Sequence, residues 1–599
     1  MVPPGRRGWL QHPAALAAGR PRGCGGHGGA GTAAPRPVPH GIRGDDLAGK
    51  PGRGAGDASA GRGAQARRHG RRAGERRAVK RLLLLCLLLA LPAEAQTLRI
   101  AFKAAVDAAD PHLTFTPNRN VQLHVWETLV TQDATLRPLP GLAESWRALD
   151  PLTWEFRLRE GVAFSDGTPL TAADAAFSIR RAQQAQGPRT YAASVRHITA
   201  VEVPDERTLI VRTGQPTPLQ PDLLAAIAIL SARAAVDASD ADFNGGRAAI
   251  GTGPYRWIRW TPAQDVVLER NPAFRGPAEP WQRVVFRFVP NDSARVAALL
   301  AGDVDAVDYV PAGLYARVRE NAETRLVTGD SIFTHYLYLD AMSARIGNAT
   351  GADGQPLPEN PLRDPRVRHA LSHAINRAGL AERVMEGSAT AAGQVAAPGF
   401  IGHDPGIPVP RFDPALARRL LAEAGYPQGF GLTLHCTLDR FAGDARTCQA
   451  IGQMFSAIGI RTQVEALPMP VYLRRSATLG GDGAPELSAH LSMFGSSTGI
   501  ASEGLTALVR TPNLAQAQGT WNRTRYSNAA MDAALARVDA IFDPAQREQA
   551  MREAVRLAVE QPALLPVFHV KASWGLRRPL SLTPRGDAYT MATEIRPAP

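Results

Sequence analysis

From Leu98 onward the chain alternates between two rhythms of apolar and polar positions. Leu98-Arg-Ile-Ala-Phe102 predicts a short strand. Trp154, Phe156 and Leu158 alternate with Glu155, Arg157 and Arg159, the pattern of a strand with one face on a core, because successive strand side chains point to opposite faces. A turn at Ser165-Asp166-Gly167-Thr168-Pro169 closes that unit. Thr171 with Asp174 three places on predicts a capped helix through Phe177, Ile179 and Arg180, since hydroxyl and carboxylate satisfy N–H groups that a first helical turn leaves unpaired. Val284 to Phe288 predicts another strand, followed by an Ala/Leu-rich helix and a second apolar stretch at Val304 to Asp308. The clearest region is 411–466. There Asp413 caps a helix with Pro414 in its first turn, Leu416, Leu420 and Leu421 form its apolar stripe, and Gly425 ends it. Strand Leu432 to His435, a helix through Ile451, Met454, Phe455 and Ile458 stopped by Gly459, and strand Ile460 to Val464 follow. Strand–helix–strand alternation predicts α/β lobes built on parallel sheets.

The N-terminal part reads differently. Residues 1–78 hold 19 of the 56 glycines and show no sustained period, a composition too poor in apolar surface to offset its ordering entropy. Val79-Lys-Arg then leads into Leu82 to Leu91, broken only by Cys86 and Ala90, and on to Pro92 and Ala93-Glu-Ala95. A basic start, a short apolar run and an A-x-A site are the layout of a secretory signal peptide, and the run is too short to span a bilayer. Residues 79–95 are expected to be that signal, with cleavage after Ala95. Translation is then expected to start at Val79, leaving 1–78 as a disordered extension outside the working protein.

This division changes the meaning of the charge. The full chain of 599 residues carries a formal +13, which taken whole would suggest nucleic acid as a partner. Residues 1–95 hold 17 Lys and Arg against 5 Asp and Glu, leaving 51 against 50 in the remainder. The exported chain is therefore almost neutral, and a nucleic-acid partner is not expected.

Candidate chemistry is sparse. With Cys24 and Cys86 set aside, Cys436 and Cys448 remain; in an oxidising compartment, across a strand and a helix start, they are expected to form one disulfide, worth roughly 2–3 kcal/mol for so short a loop. Two cysteines without a second ligand pair do not complete a metal site, so no metal and no cofactor is expected. Gly495-Ser-Ser-Thr-Gly499 matches the nucleophile-elbow pattern with Ser497 in the centre, and Asp532 or Asp543 and His569 follow in hydrolase order. An exported serine hydrolase using Ser497 is thus the alternative function. It lacks an oxyanion-type glycine cluster in the mature chain.

A series of motifs resembles the family 5 solute-binding proteins of ABC importers, the peptide- and oligopeptide-binding group. The motifs are Trp126-Glu-Thr-Leu-Val130, Pro138-Leu-Pro-Gly-Leu-Ala-Glu-Ser-Trp146, Phe156-Arg-Leu-Arg-Glu-Gly161 and Phe164-Ser-Asp-Gly-Thr-Pro-Leu170, the last with Ser165 where the family usually has His. Gly251-Thr-Gly-Pro-Tyr255 with Arg270-Asn-Pro272, Asp364 to Leu371, Asp413 to Gly425, Arg525-Tyr-Ser-Asn528 with Asp532, and Pro562 with Leu565-Pro566 complete the set in the family's order. The resemblance implies an α/β bilobed periplasmic-binding-protein clamp with an extra small domain in lobe I. Lobe I would comprise 96–137, 246–333 and 568–599, the extra domain 138–245, and lobe II 334–567.

It also implies a non-enzymatic, monomeric periplasmic protein that captures a peptide or similar polar solute by hinge closure. The closed clamp would deliver its solute to ABC permease subunits driven by ATPase subunits. The expected ligand-binding residues are Thr116, Phe494, Ser496, Ser497, Thr498, Trp521, Arg525 and Trp574. Peptide-binding relatives usually carry a Trp and an Asp that pairs with the peptide amine; here Phe494 and Ser497 stand at those places. Serine does not neutralise an ammonium, and Glu503 is the carboxylate left to substitute.

Overall fold

The computed structural model describes residues 96–599, apart from positions 114–115, 187–188, 348, 352, 439, 441–442, 482, 514–515, 517 and 599. The expected signal peptide, its cleavage after Ala95 and the extension 1–78 lie outside the described residues. No helix among the described residues is long and apolar enough to cross a membrane.

Two long strands organise the molecule. Thr324–Leu339 and Leu564–Arg577 pair antiparallel and lie side by side at the centre of a large sheet. On one side follow Ala306–Asp308, Thr97–Phe102, Arg283–Phe288, Asp265–Arg270 and Tyr255–Thr261; on the other, Ala489–Gly495, Gly431–Thr437 and Ala349–Thr350, with Arg461–Leu467 also paired to Gly431–Thr437. Thr97–Phe102 runs parallel to Arg283–Phe288 and to Ala306–Asp308, and Gly431–Thr437 runs parallel to Arg461–Leu467. Each half is therefore an α/β lobe, and the two long strands cross from one to the other.

The crossing is interrupted. Register runs from Thr324↔Arg577 to Asp330↔Lys571, breaks, and resumes at Thr334↔His569. In the gap, the Ser331 hydroxyl donates to the Val570 carbonyl at 2.6 Å and the Ile332 N–H donates to the Gly586 carbonyl at 2.9 Å. Side-chain and out-of-sheet bonds thus replace ladder bonds at Ser331 to Phe333. That break leaves Ser331 to Phe333 out of register with the second long strand, the kind of short segment at which backbone angles can change without unzipping either lobe.

Each lobe has its own core. Trp126, Tyr255, Phe286 and Trp574 centre one, and Leu371, Phe430, Leu434, Ile451 and Phe455 centre the other. The elements of 411–466 form from the signals their sequence carries. The Asp413 carboxylate accepts from the Leu416 N–H at 2.9 Å and Pro414 opens the helix Pro414–Glu423. Strand Gly431–Thr437, helix Asp444–Ser456 and strand Arg461–Leu467 follow.

A separate four-stranded antiparallel sheet has the order Ala143–Asp150, Thr153–Leu158, Thr208–Thr213, Ile198–Asp205. Helix Ala172–Gln184 packs on it, with the Thr171/Asp174 capping box formed. This layer meets the segment between the helices Ala529–Ala540 and Pro544–Glu560, where Trp154 and Phe542 lie 5.9 Å apart with their rings tilted; beside it, Arg137 pairs with Glu548 at 3.4 Å.

One expectation is corrected. Cys436 and Cys448 are both buried free thiols, and no disulfide joins them. Strand and helix do bring them together in one core, but as a thiol–thiol hydrogen bond. That bond and burial hold the Cys448 thiol far above the usual thiol range.

Candidate binding cleft at the hinge

The loop Gly495 to Gly499 leaves the hinge end of strand Ala489–Gly495, where Phe333 faces Gly495 and Thr334 faces Phe494 across the ladder. Its shape is set by one side chain. Glu503, in helix Ala501–Leu508, turns both carboxylate oxygens back onto the loop. One oxygen accepts from the Ser497 N–H at 3.1 Å and the Ser497 hydroxyl at 2.8 Å. The other accepts from the Ser496 hydroxyl at 2.8 Å, the Thr498 N–H at 2.9 Å and the Thr498 hydroxyl at 2.6 Å. Gly499 completes the turn at φ +72°, with Leu136 and Phe400 each 3.0 Å from where a Cβ would stand.

Five of the expected ligand-binding residues therefore gather here. Ser496, Ser497 and Thr498 form the loop, while Phe494 meets Trp521 edge-on at 6.4 Å between ring centres. Trp521 is 37% exposed, an uncommon state for so large an apolar side chain and one that suits a ligand-contacting surface. Arg525 lies on the same 521–526 segment, held at φ +56°, a left-handed conformation that costs a side-chain-bearing residue about 1–2 kcal/mol. Its buried Nε has no hydrogen-bond partner.

Trp574 is not in this group. It is 1% exposed, belongs to the core around Trp126, and donates its indole N–H to the Thr590 hydroxyl at 2.8 Å. It is a core side chain rather than part of a cleft wall. Thr116 opens the helix Thr116–Gln122, and its side chain lies outside the description. Glu503, the carboxylate left to substitute for the amine-binding one, gives both oxygens to its own loop.

Sequence reasoning missed Arg523. Its guanidinium stands over the Trp521 ring at 4.6 Å. Burial lowers its pKa, and the neighbouring charges of Arg525 and Arg440 lower it further. The available signal was the spacing Trp521-Asn-Arg523-Thr-Arg525, two basic residues beside an aromatic one.

The geometry does not build a hydrolase. Ser497 donates to a carboxylate, not to an imidazole. His569 is bonded through Nδ1 to the Thr334 hydroxyl at 2.7 Å, and burial pushes its pKa down to about 3. Asp532 accepts from the Thr511 N–H and hydroxyl, and the Asp543 carboxylate caps the helix Pro544–Glu560 through the Gln546 N–H. No nucleophile–base–orienter chain connects these groups.

Away from this loop, a groove of about 940 Å³ is lined by residues 345–347 and 356–358, by the paired strands Gly431–Thr437 and Arg461–Leu467, and by residues of 475–488. Among its lining residues Glu465 pairs with His435 and Arg475, Glu486 pairs with Arg475, and the Arg345 guanidinium donates to the Pro358 carbonyl. Among the described residues no group of three or more His, Cys, Asp or Glu converges as a metal site.

Residues 137–483 match the family described as bacterial extracellular solute-binding proteins, family 5 middle. The chain belongs to this family. As a family 5 solute-binding protein of ABC importers, it is a binding protein and not an enzyme. A glutathione-binding protein, GsiB, of Escherichia coli O1:K1 is 28% identical over 432 residues, covering 71% of this chain and 79% of its own. Among solved structures, HbpA2 from Haemophilus parasuis superposes with a TM-score of 0.72 at 22% identity, covering 84% of this chain and 100% of its own. The periplasmic binding protein DppA from Helicobacter pylori, in complex with peptide STSA, gives 0.61 at 22% identity, covering 84% and 98%. These likenesses fix the bilobed clamp fold.

Proposed function

We propose that this family 5 protein works in the periplasm, entering it through a signal peptide at 79–95 cleaved after Ala95. There it captures a small peptide or peptide-like polar solute between its lobes and hands it to an ABC permease with its ATPase subunits. The lobes would be 96–137 with 246–333 and 568–599, and 334–567, with 138–245 as the extra domain. Phe494, Ser496, Ser497, Thr498, Trp521 and Arg525 would contact the solute.

The observation that carries this reading is the position of the 495–499 loop. It sits at the broken crossover, so a solute held there touches the segment whose backbone must move when the clamp closes. Extra contacts made only in the closed form would shift the population towards it. Support for a peptide-like solute comes from the relatives, one named for glutathione and another solved with a peptide.

The test is a thermal-shift screen of the mature chain, followed by calorimetric titration, with glutathione, short peptides, opines, sugars and metal chelates. A saturable rise in melting temperature with a peptide-like compound supports the proposal, because a ligand bound only by the native state stabilises it by mass action. Shifts confined to sugars or chelates would overturn the peptide-like assignment.

A further inference from the structure

We propose that Leu136, at the tip of the hairpin Val130–Gln132 and Pro138–Pro140, is a positioning residue for the solute loop 495–499. It reaches from the first lobe into the second and gives that loop its backing. The inference rests on the solute-capture reading above and on the division into lobes made there.

The hairpin has its root in one core and its tip in another. Its strands pair antiparallel, and Leu129, Val130 and Leu142 are buried with Phe156 and Ile179 of the proposed extra domain. Leu136 is 1% exposed and lies in a core with Tyr336, Phe400, Ala501 and Leu505, all of them residues of the second lobe. The backbone at this tip is made for a different residue. The Leu136 N–H donates to the Asp133 carbonyl at 3.1 Å, and the Asp133 N–H donates to the Arg137 carbonyl at 3.0 Å. Residues 134–136 thus form a three-residue hairpin loop, whose last member is left-handed and favours glycine. Leu136 stands there at φ +65°, and of the six described non-glycine residues with positive φ it alone is buried. A bulky side chain in that region is an outlier, and such strain persists where the surroundings hold the residue for a purpose.

The contacts of the side chain show the purpose. Gly499 closes the solute loop at φ +72°, and a Cβ placed on it would stand 3.0 Å from Leu136 Cδ1, 3.1 Å from Leu136 Cβ and 3.0 Å from the Phe400 ring. Leu136 and Phe400 are therefore a wall against the closing turn, while Glu503 holds the polar groups ahead of it. The tip is also tied to the break between the two long strands. The Gly586 N–H donates to the Ala134 carbonyl at 2.7 Å, and the Ile332 N–H donates to the Gly586 carbonyl at 2.9 Å. Beside them the Arg585 guanidinium donates to the Gln132 carbonyl at 3.3 Å. Two hydrogen bonds in series thus join the segment whose backbone angles change to the turn that carries Leu136. Movement of the lobes about Ser331 to Phe333 carries the tip with it, and the loop keeps its wall only while the lobes are together. Closure then both encloses the solute and completes the loop that holds it.

Leu136→Gly is a clean probe, because glycine suits φ +65° and only the side chain is lost. Leu136→Met keeps an apolar side chain of similar volume. Hydrogen exchange read by mass spectrometry, without solute, follows the amides of Thr498, Gly499 and Ile500, which donate to Glu503 and Ser496. In Leu136→Gly they should exchange about tenfold or more faster while the core strand Gly431–Thr437 keeps its native rates, and Leu136→Met should stay within about threefold of the native chain. A general loss of stability would instead speed the core strand as much as the loop. Native rates at 498–500 in Leu136→Gly would overturn the positioning role, and so would acceleration shared equally with the core strand. Glutathione, titrated calorimetrically into the three chains, gives the second readout: its dissociation constant should rise roughly tenfold in Leu136→Gly and return close to the native value in Leu136→Met. Equal glutathione affinity in the native chain and Leu136→Gly would overturn the link to solute capture. A native chain that binds no glutathione but shows the expected exchange pattern would go against the solute named above and support the positioning role.

Discussion

Glu503→Ala tests the architecture of the candidate site most sharply. The substitution removes five hydrogen bonds at once, two from backbone N–H groups and three from hydroxyls. They are not equal. Ser497 is exposed, so water replaces what it loses, and its two bonds contribute at most about 1 kcal/mol. Thr498 is 8% exposed, and its N–H and hydroxyl would be left without an acceptor where water enters poorly. A buried polar group stranded in this way costs about 1–3 kcal/mol. Allowing for relaxation of the loop, Glu503→Ala should destabilise the protein by about 2–4 kcal/mol. Glu503→Gln keeps one carbonyl acceptor but turns an NH2 donor towards other donors, so about 1–2 kcal/mol is expected. Urea unfolding followed by tryptophan fluorescence measures both, with solute affinity as the second readout, and both should fall in the same order. A Glu503→Ala variant within about 0.5 kcal/mol of the native chain would refute the claim that this carboxylate shapes the loop.

Other expectations follow from the same geometry. Ser497→Ala should change stability by less than about 0.5 kcal/mol and weaken solute binding by about two- to tenfold, the loss of one hydrogen bond; loss of a measurable esterase activity in that variant would contradict the binding-protein account. Acid should destabilise the fold through buried imidazoles. Burial holds His112 and His124 down to about 4, and His335, His490 and His569 down to about 3. Unfolded histidines take up protons below about pH 6.5, where the folded ones do not, so stability is full above that value and falls as pH drops through the window. At pH 5 each contributes a loss of about 2 kcal/mol, and melting temperatures flat from about pH 7 to pH 4.5 would contradict it. Cys436 and Cys448 should resist maleimide in the native protein and react after unfolding, because both are buried and the hydrogen bond with Cys436 and burial disfavour the Cys448 thiolate; rapid native labelling would overturn this.

How far the sequence discloses the fold depends on how local each signal is. The helix after Thr171 and the helix after Asp413 are written in a few neighbouring residues, and both form with the expected caps. The parallel pair Gly431–Thr437 and Arg461–Leu467 follows from a strand–helix–strand rhythm inside one short stretch. The crossover Thr324–Leu339 carries no such rhythm. Its first half is mostly half-buried and its last six residues are buried on both faces, so neither alternation nor a continuous apolar run marks it. Trp574 is expected among the cleft residues, whereas its pairing with Val327 and Asp308 carries it into a core. The site divides in the same way. The loop 495–499 with Phe494 is visible as a motif, and Glu503 and Arg523 lie within a few residues of the groups they meet, but the backbone turns that bring Glu503 back onto the loop and Arg523 over Trp521 leave no mark in the apolar spacing.

The most direct test of the account is native mass spectrometry of the mature chain mixed with glutathione and with short peptides. The predicted result is a saturable one-to-one complex with at least one of them, unchanged solute on release, and loss of the complex on denaturation. A spectrum showing only the free chain across the whole set, or hydrolysed solute, would contradict it.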